Sequence, residues 1–232
     1  MRIFVAPRSL VAGELAITGD EHHYVGRARR AAVGDAVELV DGEGRRADAR
    51  IIAMTDDVTT VRAEEPVLIE PAIPFVRVLL PLIKGDRMDY ALEKLVEVGT
   101  DEIVVWPAAR SVVKLDADRR DTRIEKFQLA VQAAARQSGR PQIPRVVWAD
   151  SLALAIANLD GRKLVLDPAS DAGITVDDSL TVTLVSGPEG GIAPEELAQL
   201  AEFEPVCLGP RVLRAETAPV MAVAIVRALT MS

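Results

Sequence analysis

Three stretches near the end of the chain bring glycine, proline, arginine and carboxylate together. One is SGPEGGIAPEEL, Ser186 to Leu197, where three glycines and two prolines fall within nine residues. A second is Pro168-Ala-Ser. A third runs from Pro210 to Thr217 and carries Arg211, Arg214 and Glu216. Dense glycine implies that something approaches the backbone closely, and a phosphate is the simplest candidate. The neighbouring residues speak against it. A P-loop needs a lysine and a Ser/Thr directly after its glycines, and here Ile192-Ala-Pro-Glu-Glu follows. Gly187, Gly190 and Gly191 do not match the G-x-G-x-x-G spacing of a dinucleotide loop, and Glu189 would repel a phosphate. The stretch suits a neutral or cationic ligand, or it is a tight turn into a helix that opens at Pro194. Arg211 and Arg214 can grip a phosphate or lie against a planar base. Equally, an ion pair to Glu216 can tie their loop down.

Each stretch follows a short apolar run: KLVLD, TVTLV and PVCLG. From FVRVLLPL onward, such runs alternate with helical patterns. DRMDYALEKLVEV places Met88, Leu92, Leu95 and Val96 on one face, with Gly99 as the stop. A long helix over roughly 119–137 places Ile124, Phe127, Val131 and Ala134 on one stripe. Strand EIVVW lies between them. RVVWA, a short helix near 152–157 and a final helix from about Ala215 complete the series. This grammar predicts an α/β domain with a parallel sheet covered on both faces. Ligands of such sheets bind beyond the carboxyl ends of the strands, so three neighbouring strands would make the three stretches one pocket.

The first 70 residues read differently. RIFVA, AVELVDGEGRRADARIIAM with a hairpin signal at Asp41–Gly44, and VTTVRAE are β-rich. Thr18-Gly-Asp-Glu21 fits a capping box before HHYVGRARR. A small β-barrel is expected, followed by a proline-rich boundary at EPVLIEPAIPF. His22 and His23 sit beside Arg27, Arg29 and Arg30 on the expected helix, facing either RNA or water. Trp106 and Trp148, at strand ends, are expected in the core.

The chain has 232 residues, 49% of them apolar, enough for a sizeable core. Its apolar runs are far shorter than the roughly 20 residues of a membrane span, and MRIFVAPRSL lacks the pattern of a signal peptide. Cys207 is the single cysteine, which excludes an intrachain disulfide and a cysteine metal cluster; it is expected as a small buried hydrophobe. A cytoplasmic protein is expected. The net charge of −8 divides as −4 over residues 1–70, +3 over 77–145 and −7 over 146–232. A basic middle segment can contact phosphates even in an acidic chain.

GPEGG followed by LGPRVLRAETA resembles the C-terminal motifs of the SPOUT superfamily of RNA methyltransferases. More narrowly, the chain resembles the RsmE family. HHYVGRARRAAVGD, KGDRMDYALEKLVEVGTDEI, RSVVK (Arg110–Lys114) and AARQSGR (Ala134–Arg140) follow that family's order. The resemblance implies a PUA-like RNA-binding β-barrel over 1–70 and an α/β domain with a deep trefoil knot over 74–232. It implies a homodimer with active sites at the interface, S-adenosylmethionine as methyl donor and no metal. The reaction it implies is methylation of N3 of uridine 1498 in the 16S RNA of the small ribosomal subunit. Residues expected around the donor are Leu166, Asp167 and Pro168; Ser186, Gly187, Pro188, Gly190 and Gly191; and Leu208, Gly209, Val212 and Leu213. Arg211, Arg214, Glu189 and Glu216 are the candidate catalytic groups, the arginines for phosphate or developing charge, the glutamates for positioning or as base. His22, Arg27, Arg29, Lys84, Arg87, Arg110, Lys114, Arg136 and Arg140 are the candidate RNA contacts. A SPOUT enzyme acting on another position, such as a ribose 2′-hydroxyl, and a non-catalytic RNA-binding protein are the alternatives.

Overall fold

A computed structural model describes residues 1–28, 30–113 and 117–230. They form two compact units. One comprises residues 1–71 with 135–143, and the other 72–134 with 144–232. The boundary near residue 71 falls inside the proline-rich segment. The return of 135–143 to the first unit is not visible as a composition change.

The first unit is a mixed sheet. Strands β1 (Arg2–Phe4), β3 (Ala36–Val40), β4 (Arg45–Met54), β5 (Thr59–Ala63) and β2 (Gly13–Ile17) lie in the order β1-β3-β4-β5-β2, and β6 (Val67–Leu68) pairs with β4. A closed ring of strands was expected; among the described strands the path ends at β1 and β2. Leu10 and Val25 join Ile3, Leu39, Ile51 and Val61 in one core, so loop and helix side chains share in covering it. The β3–β4 hairpin turns at Asp41, whose Oδ1 accepts from the N–H groups of Glu43 (2.8 Å) and Arg45 (3.0 Å). Gly42 and Gly44 take positive φ there, the conformation that favours glycine.

The expected capping box at Thr18 does not form. Helix α1 (Gly19–His23) runs into a π-helix over Tyr24–Ala28, and Thr18 makes no side-chain cap. Glu21 turns inward, where its Oε2 accepts from Phe4 N–H at 3.2 Å and its other oxygen pairs with Arg136. That buried anchor outcompetes a surface cap.

The second unit is a parallel sheet in the order β12-β10-β11-β7-β8-β9. The strands are β7 (Phe75–Pro81), β8 (Glu102–Trp106), β9 (Arg145–Trp148), β10 (Arg162–Leu166), β11 (Thr181–Val185) and β12 (Glu204–Val206). Their near-continuous apolar sequence follows from burial on both faces. Helix α2 (Asp86–Glu97) buries Met88, Ala91, Leu92, Leu95 and Val96 on one stripe and ends at Gly99, φ 102°. The others are α3 (Ala117–Ser138), whose residues from 135 onward belong to the first unit, α4 (Leu152–Ala155), α5 (Pro194–Leu197) and α6 (Ala218–Thr230). Arg227 of α6 donates to the carbonyls of Gly99 and Pro74 and pairs with Asp101, fixing the last helix at the amino end of the sheet. Trp106 is fully buried, as expected; Trp148 is half-buried, its Nε1 donating to Asp150 at 2.8 Å.

Candidate active site

The sheet order places β12, β10 and β11 side by side, so the loops that follow them converge. A cavity of about 630 Å³ lies among them. Leu166, Asp167 and Pro168 line it after β10. Ser186, Gly187, Pro188, Glu189 and Gly191 line it after β11. Leu208, Gly209, Arg211, Val212, Leu213 and Arg214 line it after β12. Sequence reasoning missed its apolar inner wall: Val165 and Val206 at the strand ends, Ile192, Leu197, Ala215 and Ala218. Cys207, expected as a buried hydrophobe, is half-buried and also lines the cavity. Ser186 is 2% exposed, and its hydroxyl has no hydrogen-bond partner. A buried hydroxyl without a partner is costly. A Cβ on Gly187 would lie 3.0 Å from Ile192 Cγ1 and 3.2 Å from the Ile192 backbone nitrogen, so a side chain there would press on Ile192.

Gly190 departs from expectation. It faces outward, where a Cβ would lie 3.1 Å from Cβ of Arg110, and its carbonyl accepts from Arg110 Nη1 at 3.1 Å. Behind the same loop sits Glu196, 7% exposed. One carboxylate oxygen accepts from Ala109 N–H (2.6 Å), the other from Ala193 N–H (3.0 Å). Glu196 therefore clips the loop after β11 to the segment after β8. It was missed because Ala193, the residue before the helix, lacks the side-chain oxygen of a capping box. The four candidate catalytic groups also separate. Arg211, Arg214 and Glu189 line the cavity, whereas Glu216 is buried outside the lining with one carboxylate oxygen unpartnered. Arg87 stands between the two glutamates, 3.3 Å from Glu189 and 3.9 Å from Glu216.

A model of the RNA methyltransferase domain matches residues 71–227, and a model of the RNA methyltransferase PUA domain matches residues 17–59. A ribosomal RNA small subunit methyltransferase E from Mycobacterium bovis is 33% identical over 92% of this chain and 86% of its own. The chain belongs to the RsmE family of RNA methyltransferases. An RsmE relative from Bacillus subtilis is 29% identical over 91% of this chain and 88% of its own. The crystal structure of a Neisseria gonorrhoeae RsmE, bound to S-adenosyl methionine, is 25% identical with a TM-score of 0.88, covering 98% of this chain and 97% of the other.

Within this RsmE framework, several cations expected to face RNA are engaged by the fold. His22 is buried. Its Nε2–H donates to the Asp56 carbonyl (2.9 Å), and its Nδ1 shares a hydrogen bond with the Thr59 hydroxyl (2.9 Å). Both ring nitrogens are used, as burial of an imidazole requires. Arg136 is corrected in the same way. Its guanidinium lies over the Tyr24 ring (4.5 Å to the centroid) and the Phe4 ring (5.3 Å) and pairs with Glu21. Burial pushes the Glu21 carboxyl up from its usual range, outweighing Arg136 and the Phe4 N–H, which pull it down. Arg110 and Arg87 brace the cavity loops. Lys84 is exposed and Arg140 half-buried. Arg27 lies on the π-helix. Arg29 and Lys114 lie outside the described residues.

Proposed function

We propose that this chain transfers a methyl group from S-adenosylmethionine to N3 of a uridine, position 1498, in the 16S RNA of the small ribosomal subunit. The observation that carries the reading is the three-loop cavity at the carboxyl ends of β10, β11 and β12, in a chain of the RsmE family. The lining fits the donor. Val165, Val206, Leu197 and Ala218 offer apolar surface to a purine and to the methylenes of the methionine portion, and Asp167 and Glu189 suit a sulfonium cation. Bound there, S-adenosylmethionine supplies an electrophilic methyl group.

The chain's own residues must align the acceptor nitrogen, take its imide proton and hold the resulting charge. Alignment supplies up to about 7–11 kcal/mol in the best intramolecular analogues. Glu189, the candidate carboxylate that lines the cavity, accepts the proton. Arg211 and Arg214 hold the negative charge that develops on O2 and O4 of the uracil. Glu216 and Arg87 orient Glu189 rather than touch the base. The segment after β12, which turns back past the cavity into α6, is the part we assign to a trefoil knot. Met221, Ile225, Ala228 and Leu229 share one face of α6 and include exposed apolar side chains. We assign this face to a homodimer interface beside the active site. No helix among the described residues is long and apolar enough to cross a membrane, and a cytoplasmic location accords with a ribosomal substrate.

Nucleoside analysis of 16S RNA tests the reading. In a strain lacking this chain, 3-methyluridine disappears; the wild-type chain restores it, and Arg214→Ala restores almost none while remaining folded. Persistence of 3-methyluridine without the chain would rule the reading out.

A further inference from the structure

A second cavity, of about 370 Å³, lies beyond the end of β7, with Val113 from the segment after β8 also in its wall. Leu82, Ile83 and Gly85 line one side of it, the first two almost fully buried. A face of α3 lines the other. Arg119, Thr122, Arg123 and Lys126 recur there at helical spacing, with Asp118 in the first turn. Among the described residues, none of the three cations has a carboxylate partner. The Arg123 guanidinium lies 5.1 Å from the centroid of the Phe127 ring, and Phe127 is buried. A cation stacked on a buried ring is held in place before a ligand arrives. In contrast, Arg87, Arg110 and Arg136 spend their hydrogen bonds inside the fold.

The position of this cavity is as informative as its charge. Gly85 lines it, while Arg87, two residues later in the chain, reaches Glu189 and Glu216 beside the first cavity. The second cavity therefore borders the loop that leads into α2, the helix whose Arg87 reaches the glutamates beside the first. The first belongs to the loops after β10, β11 and β12, and the second to the loop after β7 and the face of α3. A small anion would need the cations but not Leu82 and Ile83. Cations over an apolar floor, in a volume of this size, suit a nucleotide with its phosphates.

We propose that the second cavity receives one nucleotide of the RNA strand adjacent to the methylated uridine. Its base rests against Leu82 and Ile83, and its flanking phosphates meet Arg119, Arg123 and Lys126. This rests on reading the first cavity as the methyl-donor site. The contact positions the strand, as phosphate contacts do, so that the target uridine reaches Glu189.

The test uses the full chain and a fluorescent single-stranded RNA oligonucleotide carrying the target uridine. The triple variant Arg119→Gln, Arg123→Gln, Lys126→Gln is compared with wild type by anisotropy across a salt series. Affinity is expected to fall at least about tenfold. The slope of log K against log salt is expected to flatten by about 2, at about 0.7 per lost phosphate contact on a single strand. S-adenosylmethionine affinity by calorimetry and the thermal midpoint are expected to stay unchanged. For the base, abasic sites are placed in turn at each nucleotide flanking the target. One position is expected to cost the wild type about tenfold and the triple variant little. Unchanged RNA affinity and slope in the triple variant, with wild-type donor binding and methylation intact, would overturn the proposal. An abasic profile identical in the two proteins would overturn its base-binding part. If the wild type neither binds the donor nor methylates RNA, the reading of the first cavity fails instead, and the RNA-affinity result still decides the second.

Discussion

Arginine meets carboxylate in two places that resemble each other on paper. In the first unit, Arg136 pairs with Glu21, each with about a fifth of its side chain exposed, and two aromatic rings lie against the guanidinium. In the second unit, Arg87 stands between Glu189 and Glu216 with 48% of its side chain exposed and with longer contacts, 3.3 and 3.9 Å. The first pair is sealed into packing. Removing one partner leaves an uncompensated buried charge, the costly case for ion pairs. The second is loose and partly wet, so it contributes little to stability. The same residue types thus make a packed anchor in one unit and a looser, more exposed contact in the other.

The comparison breaks most readily at Arg136. Arg136→Ala is expected to destabilise the first unit by about 3–5 kcal/mol, read as a fall in its urea midpoint. Replacing both partners, Glu21→Met with Arg136→Met, is expected to be near neutral; a double variant as unstable as the single would show that the pair itself stabilises. Glu196→Ala is expected to cost about 2 kcal/mol, because it strands the N–H groups of Ala109 and Ala193. It should also weaken S-adenosylmethionine binding severalfold in calorimetry, since those groups hold the loop after β11. Arg87→Met is expected to change stability by less than about 1 kcal/mol and to lower the methylation rate more than tenfold with donor affinity unchanged. A large loss of stability there would erase the contrast with Arg136.

The smallest effect is one of pH. Burial raises the Glu21 carboxyl above its unfolded value of 4.5, so the folded state binds the proton more tightly. Its contribution to stability is fully present below the unfolded value and is lost as pH rises through the raised folded value. The stability difference between wild type and Glu21→Gln should therefore decline over that window and then level off. A difference that grows with pH would mean that Arg136 outweighs burial.

Much of this arrangement was legible in the sequence. Apolar runs alternating with helical stripes marked the parallel sheet, and unusual loops after three of its strands marked the cavity. Periodicity and turn chemistry are local, so they can be read without contacts. What failed depended on partners distant in the chain. His22 and Arg136 looked like surface cations, because residue type does not reveal that Thr59, Asp56, Phe4, Tyr24 and Glu21 wait across the fold. Thr18-Gly-Asp-Glu21 looked like a cap, yet Glu21 found stronger partners. Glu196 carried a usable signal, a glutamate three residues past the start of a helix, but its second partner, Ala109, lies 87 residues away. Short strands such as β2 and β6 were missed because their pairing, rather than their composition, makes them strands.

The central claim is that the cavity between β10, β11 and β12 holds the methyl donor for a uridine of small-subunit RNA. The most direct measurement incubates the purified chain with methyl-labelled S-adenosylmethionine and undermethylated small ribosomal subunits, then identifies the labelled nucleoside after digestion. Label in 3-methyluridine, abolished by Arg214→Ala, is the expected result. Label in a 2′-O-methylated nucleoside, or none while the wild-type chain remains folded, would contradict it.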